Sequence, residues 1–157
     1  MAVLDEIDGM DSVSFWSIEL RIAITQVHYG LEAQKKLSGQ LQKLYGRGLL
    51  SFTSSALSTR NEPRTTIENF DRSIVQRLNR HRYFESDIKD FLLFKLGVKE
   101  PCTRVDLCSL IRVEQSHSLI DIYETFVRVL RIARMKDFEK KAILFIFNDS
   151  KEVFSNK

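Results

Sequence analysis

Apolar residues recur at intervals of three and four over long stretches of the chain, which places them on one face of an α-helix. The first series is Trp16, Leu20, Ala23, Val27 and Leu31, followed by Leu37, Leu41 and Leu44. Both prolines, Pro63 and Pro101, fall between such stretches. Since proline disrupts a helix interior, the pattern predicts helices over roughly residues 13–46, 66–96 and 104–147. We expect an all-α fold, an elongated bundle of three long helices in which kinks raise the number to as many as five.

Glycines predict where the first of these helices bends and ends. Gly30 and Gly39 lie inside the predicted helix, where glycine costs about 1 kcal/mol relative to alanine, so we expect a bend or a close helix crossing there. Gly46 and Gly48 can adopt the left-handed conformation that ends helices. The first helix should therefore end near residue 45.

Capping patterns predict the starts of later helices. Thr65 and Glu68 have the spacing of a capping box, and Gly97 provides a stop signal for the second helix. Ser118 and Asp121 repeat the start pattern inside the third stretch, so that stretch is read either as one long helix or as two shorter helices joined near residues 116–118.

The length of 157 residues is that of about one domain. We expect a single helical domain over 1–157 with three segments outside the helices. These are an acidic N-terminal tail (1–11), a loop rich in serine and threonine (51–62), and a flexible C-terminal tail (148–157).

No cofactor motif or metal-ligand cluster is recognisable. The two cysteines, Cys102 and Cys108, lack zinc-site spacing, and the nearest histidine, His117, stands alone. The acidic N-terminus lacks the features of a secretory signal, and the longest apolar run, residues 142–147, is too short to cross a bilayer. We expect no cofactor, no metal and a soluble intracellular protein, cytoplasmic or nuclear.

Charge is segregated along the chain behind the formal net charge of +3. Two helical segments are basic, and their arginines can bind phosphates bidentately. The candidate polyanion-binding residues are Arg77, Arg80, Arg82, Arg128, Arg131 and Arg134. The alternative is that these arginines belong to solvated helix faces and pair locally with acidic residues.

The C-terminal part of the third stretch is apolar on every side. This surplus packs into the protein's own core or forms an interface with another subunit or partner. The candidate interface residues are Phe138, Ile143, Leu144, Phe145, Ile146 and Phe147.

No arrangement of residues predicts catalysis. Arg112 and His117 have the R-x₄-H spacing of the helical HEPN ribonucleases, and Arg21 and His28 have a looser spacing. With thirteen arginines and three histidines, about 0.7 such pairs are expected by chance, so we assign no catalytic residue.

These observations favour a non-enzymatic helical scaffold or adaptor that binds a protein partner or itself as a homo-oligomer. The alternative is a polyanion-binding protein, resembling a nucleocapsid protein or binding RNA, DNA or an anionic membrane through its arginines. A HEPN-like ribonuclease is a distant third hypothesis. No small-molecule substrate is evident.

Overall fold

The computed structural model describes residues 2–10, 13–99, 110, 113, 118–135 and 148. This part of the chain contains six helices and no strand, which confirms the all-α prediction for it. The helices are α1 (Ala2–Met10), α2 (Phe15–Tyr45), α3 (Leu49–Arg60), α4 (Ile67–Arg80), α5 (Ser86–Lys95) and α6 (Leu119–Met135).

Helix α2 matches the first predicted helix, but it consists of two arms that meet at Gly30. This residue has φ 82° and ψ 178°, a combination that essentially only glycine adopts. Asp8 and Arg21 both influence the phenol of Tyr45, although a straight helix would separate residues 21 and 45 by about 36 Å. The second arm therefore folds back towards the start of the first, and the predicted bend is confirmed at Gly30.

The prediction of a loop over residues 51–62 is wrong, because most of it forms the buried helix α3. Its serines find hydrogen-bond partners on the second arm of α2. The Ser38 hydroxyl donates to the Ser54 carbonyl at 3.2 Å, and Gln34 Nε2 donates to Ser58 Oγ at 2.7 Å. Serine disfavours helices when its hydroxyl competes for nearby backbone groups, and the neighbouring helix removes that competition here.

The acidic tail predicted for residues 1–11 is also wrong, because residues 2–10 form helix α1 and contact α2. Leu4 is buried, and Arg21 forms ion pairs with Asp5 at 2.7 Å and with Asp8 at 2.8 Å. The acids thus attach this helix to the bundle.

The second predicted helix is divided into α4 and α5 by residues 81–85. Helix α4 begins one residue later than the capping box predicts, because Thr66 accepts the hydrogen bond from Asn69 N at 3.2 Å. The predicted stop after α5 is present, with Gly97 at φ 77°. Within residues 13–99, α2 therefore has the predicted length, and the second predicted helix consists of two shorter helices.

Helix α6 begins at the second predicted start signal, where Ser118 Oγ accepts a hydrogen bond from Asp121 N at 3.2 Å. The Asp121 carboxylate reaches across to α2 and accepts hydrogen bonds from Phe15 N at 2.7 Å and Trp16 N at 3.1 Å. It thereby caps α2 from another helix. Residues 104–109, 111–112, 114–117 and 136–147 of the third predicted helix lie outside the described residues, as does the predicted tail except for Asn148.

One hydrophobic core joins the helices. Its largest fully buried apolar side chains come from α2, α4, α5 and α6 and are Ile18, Ile22, Ile74, Leu78, Phe91, Leu92, Phe94 and Val129. Helix α3 contributes Phe52, Ala56 and Leu57. This core fixes the C-terminal end of α4 against the first half of α3, which is where the candidate site lies.

Candidate anion-binding cleft

The six arginines predicted to bind polyanions are distributed over different parts of the structure. Arg77 and Arg80 lie in the last turn of α4, and Arg82 is exposed in the segment that follows. The other three are on α6, where Arg131 is exposed and the side chain of Arg134 lies outside the described residues.

Arg128 has a structural role at the C-terminal end of α5. Its Nη1 donates to the Lys95 carbonyl at 3.2 Å, and its guanidinium carbon lies 4.5 Å from the ring centroid of Phe94. Cations stabilise helix C-termini, where backbone carbonyls lack helical partners. We therefore no longer count Arg128 among the candidate polyanion-binding residues.

Arg77 and Arg80 line a cleft of about 360 Å³ between the end of α2, the first half of α3 and the end of α4. We call this the arginine cleft and define it by the residues that line it: Gln42, Gly46, Arg47, Gly48, Ser51, Phe52, Ser55, Arg77, Arg80 and His81. No aspartate or glutamate is among them. Three arginines therefore line one cleft, and no acidic side chain is among the described residues of its lining.

Arg77 is held rigidly in this cleft. Its Nη2 donates to Ser55 Oγ at 2.9 Å, and its guanidinium carbon lies 4.9 Å from the ring centroid of Phe52. Burial lowers the pKa of Arg77 from its usual value, and among the described residues no carboxylate pairs with it. The side chain remains protonated at physiological pH, so it is a half-buried charge without a counterion in this part of the chain.

Arg47 and Arg80 complete the positive charge of the arginine cleft, and neither pairs with a carboxylate among the described residues. Arg47 lies in the turn between α2 and α3, where its Nη1 donates to Tyr83 Oη at 3.4 Å. Arg80 is exposed one turn beyond Arg77 on α4.

The N-terminus of α3 also borders the arginine cleft. Its N-cap is Gly48, which has no side chain to accept hydrogen bonds from the first-turn amides. By contrast, Ser14 caps α2 and Thr66 caps α4 through their hydroxyls. Uncapped amides and the helix dipole favour an anion at such an end, which adds to the effect of the three arginines.

His81 closes the cleft beside the aromatic core. Its ring stacks on Phe84 at 4.0 Å with an interplanar angle of 8°, and it meets Phe52 edge-on at 6.1 Å. Its Nδ1 atom is buried and has no hydrogen-bond partner among the described residues. The His81 ring is thus packed against two aromatic side chains, and its Nδ1 is a buried polar atom for which the described residues offer no hydrogen bond.

Sequence analysis found two residues of this cleft, Arg77 and Arg80, and missed Arg47, Ser55 and His81. The signal for Arg47 is the Gly46–Gly48 turn, which places an arginine between two glycines at a helix junction. Ser55 was missed because residues 51–62 were read as a loop. Neither residue could be placed opposite Arg77 without knowing that α3 packs between α2 and α4.

The remaining candidates do not form a site in the described residues. All six candidate interface residues, Phe138 and residues 143–147, lie outside them, as do Arg112, His117 and both cysteines. Arg21 is engaged by Asp5 and Asp8, and His28 is exposed next to Tyr29. Among the described residues no group of three or more histidine, cysteine or acidic side chains could hold a metal ion, and no helix is both long and apolar enough to span a membrane.

Comparison of the chain with protein-family models, with curated proteins and with solved structures finds no match in any of the three.

Proposed function

We propose that this protein binds polyanions through the arginine cleft and that it does so without catalysis. The observation that supports the proposal is that Arg47, Arg77 and Arg80 line one cleft, and that none of the described residues lining it is acidic. Arginine is the side chain best suited to bidentate phosphate binding.

The energetics of Arg77 support the same proposal. Removing a guanidinium from water without a counterion costs free energy, and like charges on neighbouring arginines repel each other. A phosphate in the cleft would offset both costs. Ser55 and Phe52 already hold the Arg77 fork in place, so little side-chain entropy is lost when the ligand binds.

The scaffold hypothesis remains a prediction. It depends on residues 138–147, which lie outside the described residues, and the geometry of the arginine cleft neither requires nor opposes self-association. Light scattering would test it, because an oligomer must exceed the mass of one 18.3 kDa chain.

The polyanion proposal is tested by fluorescence anisotropy with a labelled single-stranded RNA and with inorganic polyphosphate as competitor. If three phosphates are neutralised, affinity for the single-stranded RNA should fall about 20-fold between 50 and 200 mM salt. Arg80→Gln should weaken binding of both polymers about 10- to 150-fold, since charge-assisted hydrogen bonds contribute about 1.5–3 kcal/mol. The matched control is Arg72→Gln, an exposed arginine of α4 that does not line the cleft.

Two results would contradict the proposal. Binding that does not depend on salt would show that phosphate neutralisation is not the driving force. Equal effects of Arg80→Gln and Arg72→Gln would show that only the overall charge of the protein matters, and the cleft would then have no specific role.

A further inference from the structure

We propose that the ligand of the arginine cleft is single-stranded nucleic acid, with a backbone phosphate bound by Arg77 and Arg80 and an adjacent base stacked on Tyr83. This inference rests on the polyanion binding proposed above and specifies the class of polymer. It depends on Tyr83, which does not line the cleft but contacts Arg47 and His81, which do.

Tyr83 presents an aromatic ring at the rim of the arginine cleft. The residue is 73% exposed, although burying a ring of this size is normally favourable. Its ring centroid lies 5.9 Å from the guanidinium carbon of Arg47 and 5.9 Å from the centroid of His81. Both neighbours line the cleft, so the exposed ring lies at its rim.

Two neighbouring side chains contact Tyr83. Arg47 donates to its hydroxyl, and His81 meets its ring at an interplanar angle of 74°. His81 is itself held by the stack on Phe84, which is buried. A ring held in this way loses little conformational freedom when a base stacks on it, and such stacking contributes about 1–3 kcal/mol per base.

The combination of a concave phosphate site and an exposed ring favours a single strand over the other polyanions. A duplex keeps its bases stacked on one another and has none free to stack on Tyr83. Polyphosphate has no bases, and an anionic membrane presents its phosphates on a surface rather than as a strand that can enter a cleft. A single strand offers both a phosphate for the arginines and an unstacked base for the ring.

The test compares ligands that share phosphates but differ in bases. The probe is a fluorescein-labelled single-stranded 12-mer RNA, and the competitors are an abasic strand of equal length, the corresponding duplex, inorganic polyphosphate, and vesicles containing anionic phospholipid. We expect the base-containing strand to compete about tenfold better than the abasic strand, which is the range that stacking provides. Duplex and vesicles should compete no better than the abasic strand.

Substitutions of Tyr83 test base stacking from the side of the protein. Tyr83→Leu should weaken binding of the RNA about tenfold and leave binding of polyphosphate unchanged, whereas Tyr83→Trp and Tyr83→Phe should retain the affinity for RNA because they keep an aromatic face. The control is Tyr29→Leu, which removes a ring of similar exposure, 72%, on α2. Thermal melting of all four variants shows whether any loss reflects unfolding.

The outcomes separate this inference from the proposal on which it rests. If no polyanion binds, polyanion binding itself is wrong. If the abasic strand and polyphosphate compete as well as RNA, and Tyr83→Leu matches Tyr29→Leu, polyanion binding stands and base stacking is overturned. Vesicles that compete better than RNA would overturn the choice of nucleic acid in favour of a membrane surface.

Discussion

Two partly buried arginines, Arg21 and Arg77, have opposite electrostatic surroundings. Arg21, between α1 and α2, contacts two carboxylates, at 2.7 Å and 2.8 Å. Burial alone lowers the pKa of Arg21, but its hydrogen bonds and charge interactions with Asp5 and Asp8 raise it above the usual value. Arg77 contacts a hydroxyl and an aromatic ring instead, and burial lowers its pKa.

The same contrast extends to the neighbourhood of each arginine. On the side of α6, the Lys95 ammonium lies 3.7 Å from Asp121 and 2.9 Å from Glu124. In the arginine cleft, Arg77 is instead accompanied by two further arginines, Arg47 and Arg80. Arg21 and Lys95 are thus paired with carboxylates, whereas the arginines of the arginine cleft pair with no carboxylate among the described residues. Local arrangements that cost stability are typical of functional sites, and this one is compatible with an anionic ligand.

The largest loss of stability should come from removing Asp121, a carboxylate that pairs with Lys95. Asp121→Ala removes the acceptor of the Phe15 and Trp16 amides of α2. It also removes the buried carboxylate beside the Lys95 ammonium, whose side chain is 5% exposed and which then has only the partly exposed Glu124 as a carboxylate partner among those described here. Breaking a buried pair in this way costs about 3–5 kcal/mol, which urea denaturation would measure.

The control for Asp121→Ala is Asp90→Ala, which removes an exposed ion pair with Lys99. Pairs of that kind contribute at most about 1 kcal/mol. Equal losses of stability in the two variants would show that the buried carboxylate is no more important than a surface one, and the contrast between the two regions would lose its basis.

An intermediate effect is expected from exchanging the two arginines for neutral residues. Arg21→Met should lower the free energy of unfolding by about 1–3 kcal/mol, because it leaves Asp8 half-buried and unpaired. Arg77→Met should change stability by less than about 1 kcal/mol in either direction, because it removes a desolvated charge and keeps an apolar side chain against Phe52. Polyanion binding should be lost only in Arg77→Met.

Urea denaturation and the anisotropy assay together decide this prediction. If Arg77→Met destabilises the protein as much as Arg21→Met, Arg77 is a structural residue like Arg128. If both variants still bind polyanions, the cleft is not the binding site.

Features that depend on neighbouring residues in the chain were predictable. The stop at Gly97, the start at Ser118 and the bend at Gly30 follow from backbone conformation and capping, which short patterns encode. The split between α4 and α5 was missed, because apolar periodicity continues across residues 81–85 and Phe84 remains buried in the break.

Features that depend on contacts between distant residues were not predictable. Helix α3 was read as a loop because the partners of Ser54 and Ser58 lie 16 and 24 residues away on α2. The role of Arg128 depends on a carbonyl of α5, 33 residues away. The cleft likewise joins residues of three helices, so its sequence signal was limited to the two arginines on α4.

The smallest predicted effect concerns Tyr45, the last residue of α2, which precedes the glycine turn of the cleft and lies near the ion pairs of Arg21. Burial, and then the charge of Asp8, raise the pKa of Tyr45 above its usual 10.0, and Arg21 opposes this in part. A raised pKa in the folded state means that stability is complete below about pH 10 and is lost as the pH rises through the folded-state value. Because the phenol is partly exposed, the loss should stay below about 0.5 kcal/mol.

Urea denaturation at pH 9 and about pH 11 measures this loss. The free energy of unfolding should decrease less for Tyr45→Phe than for the unchanged protein. An equal decrease would mean that the effect of Arg21 on the pKa of Tyr45 fully cancels the effects of Asp8 and burial.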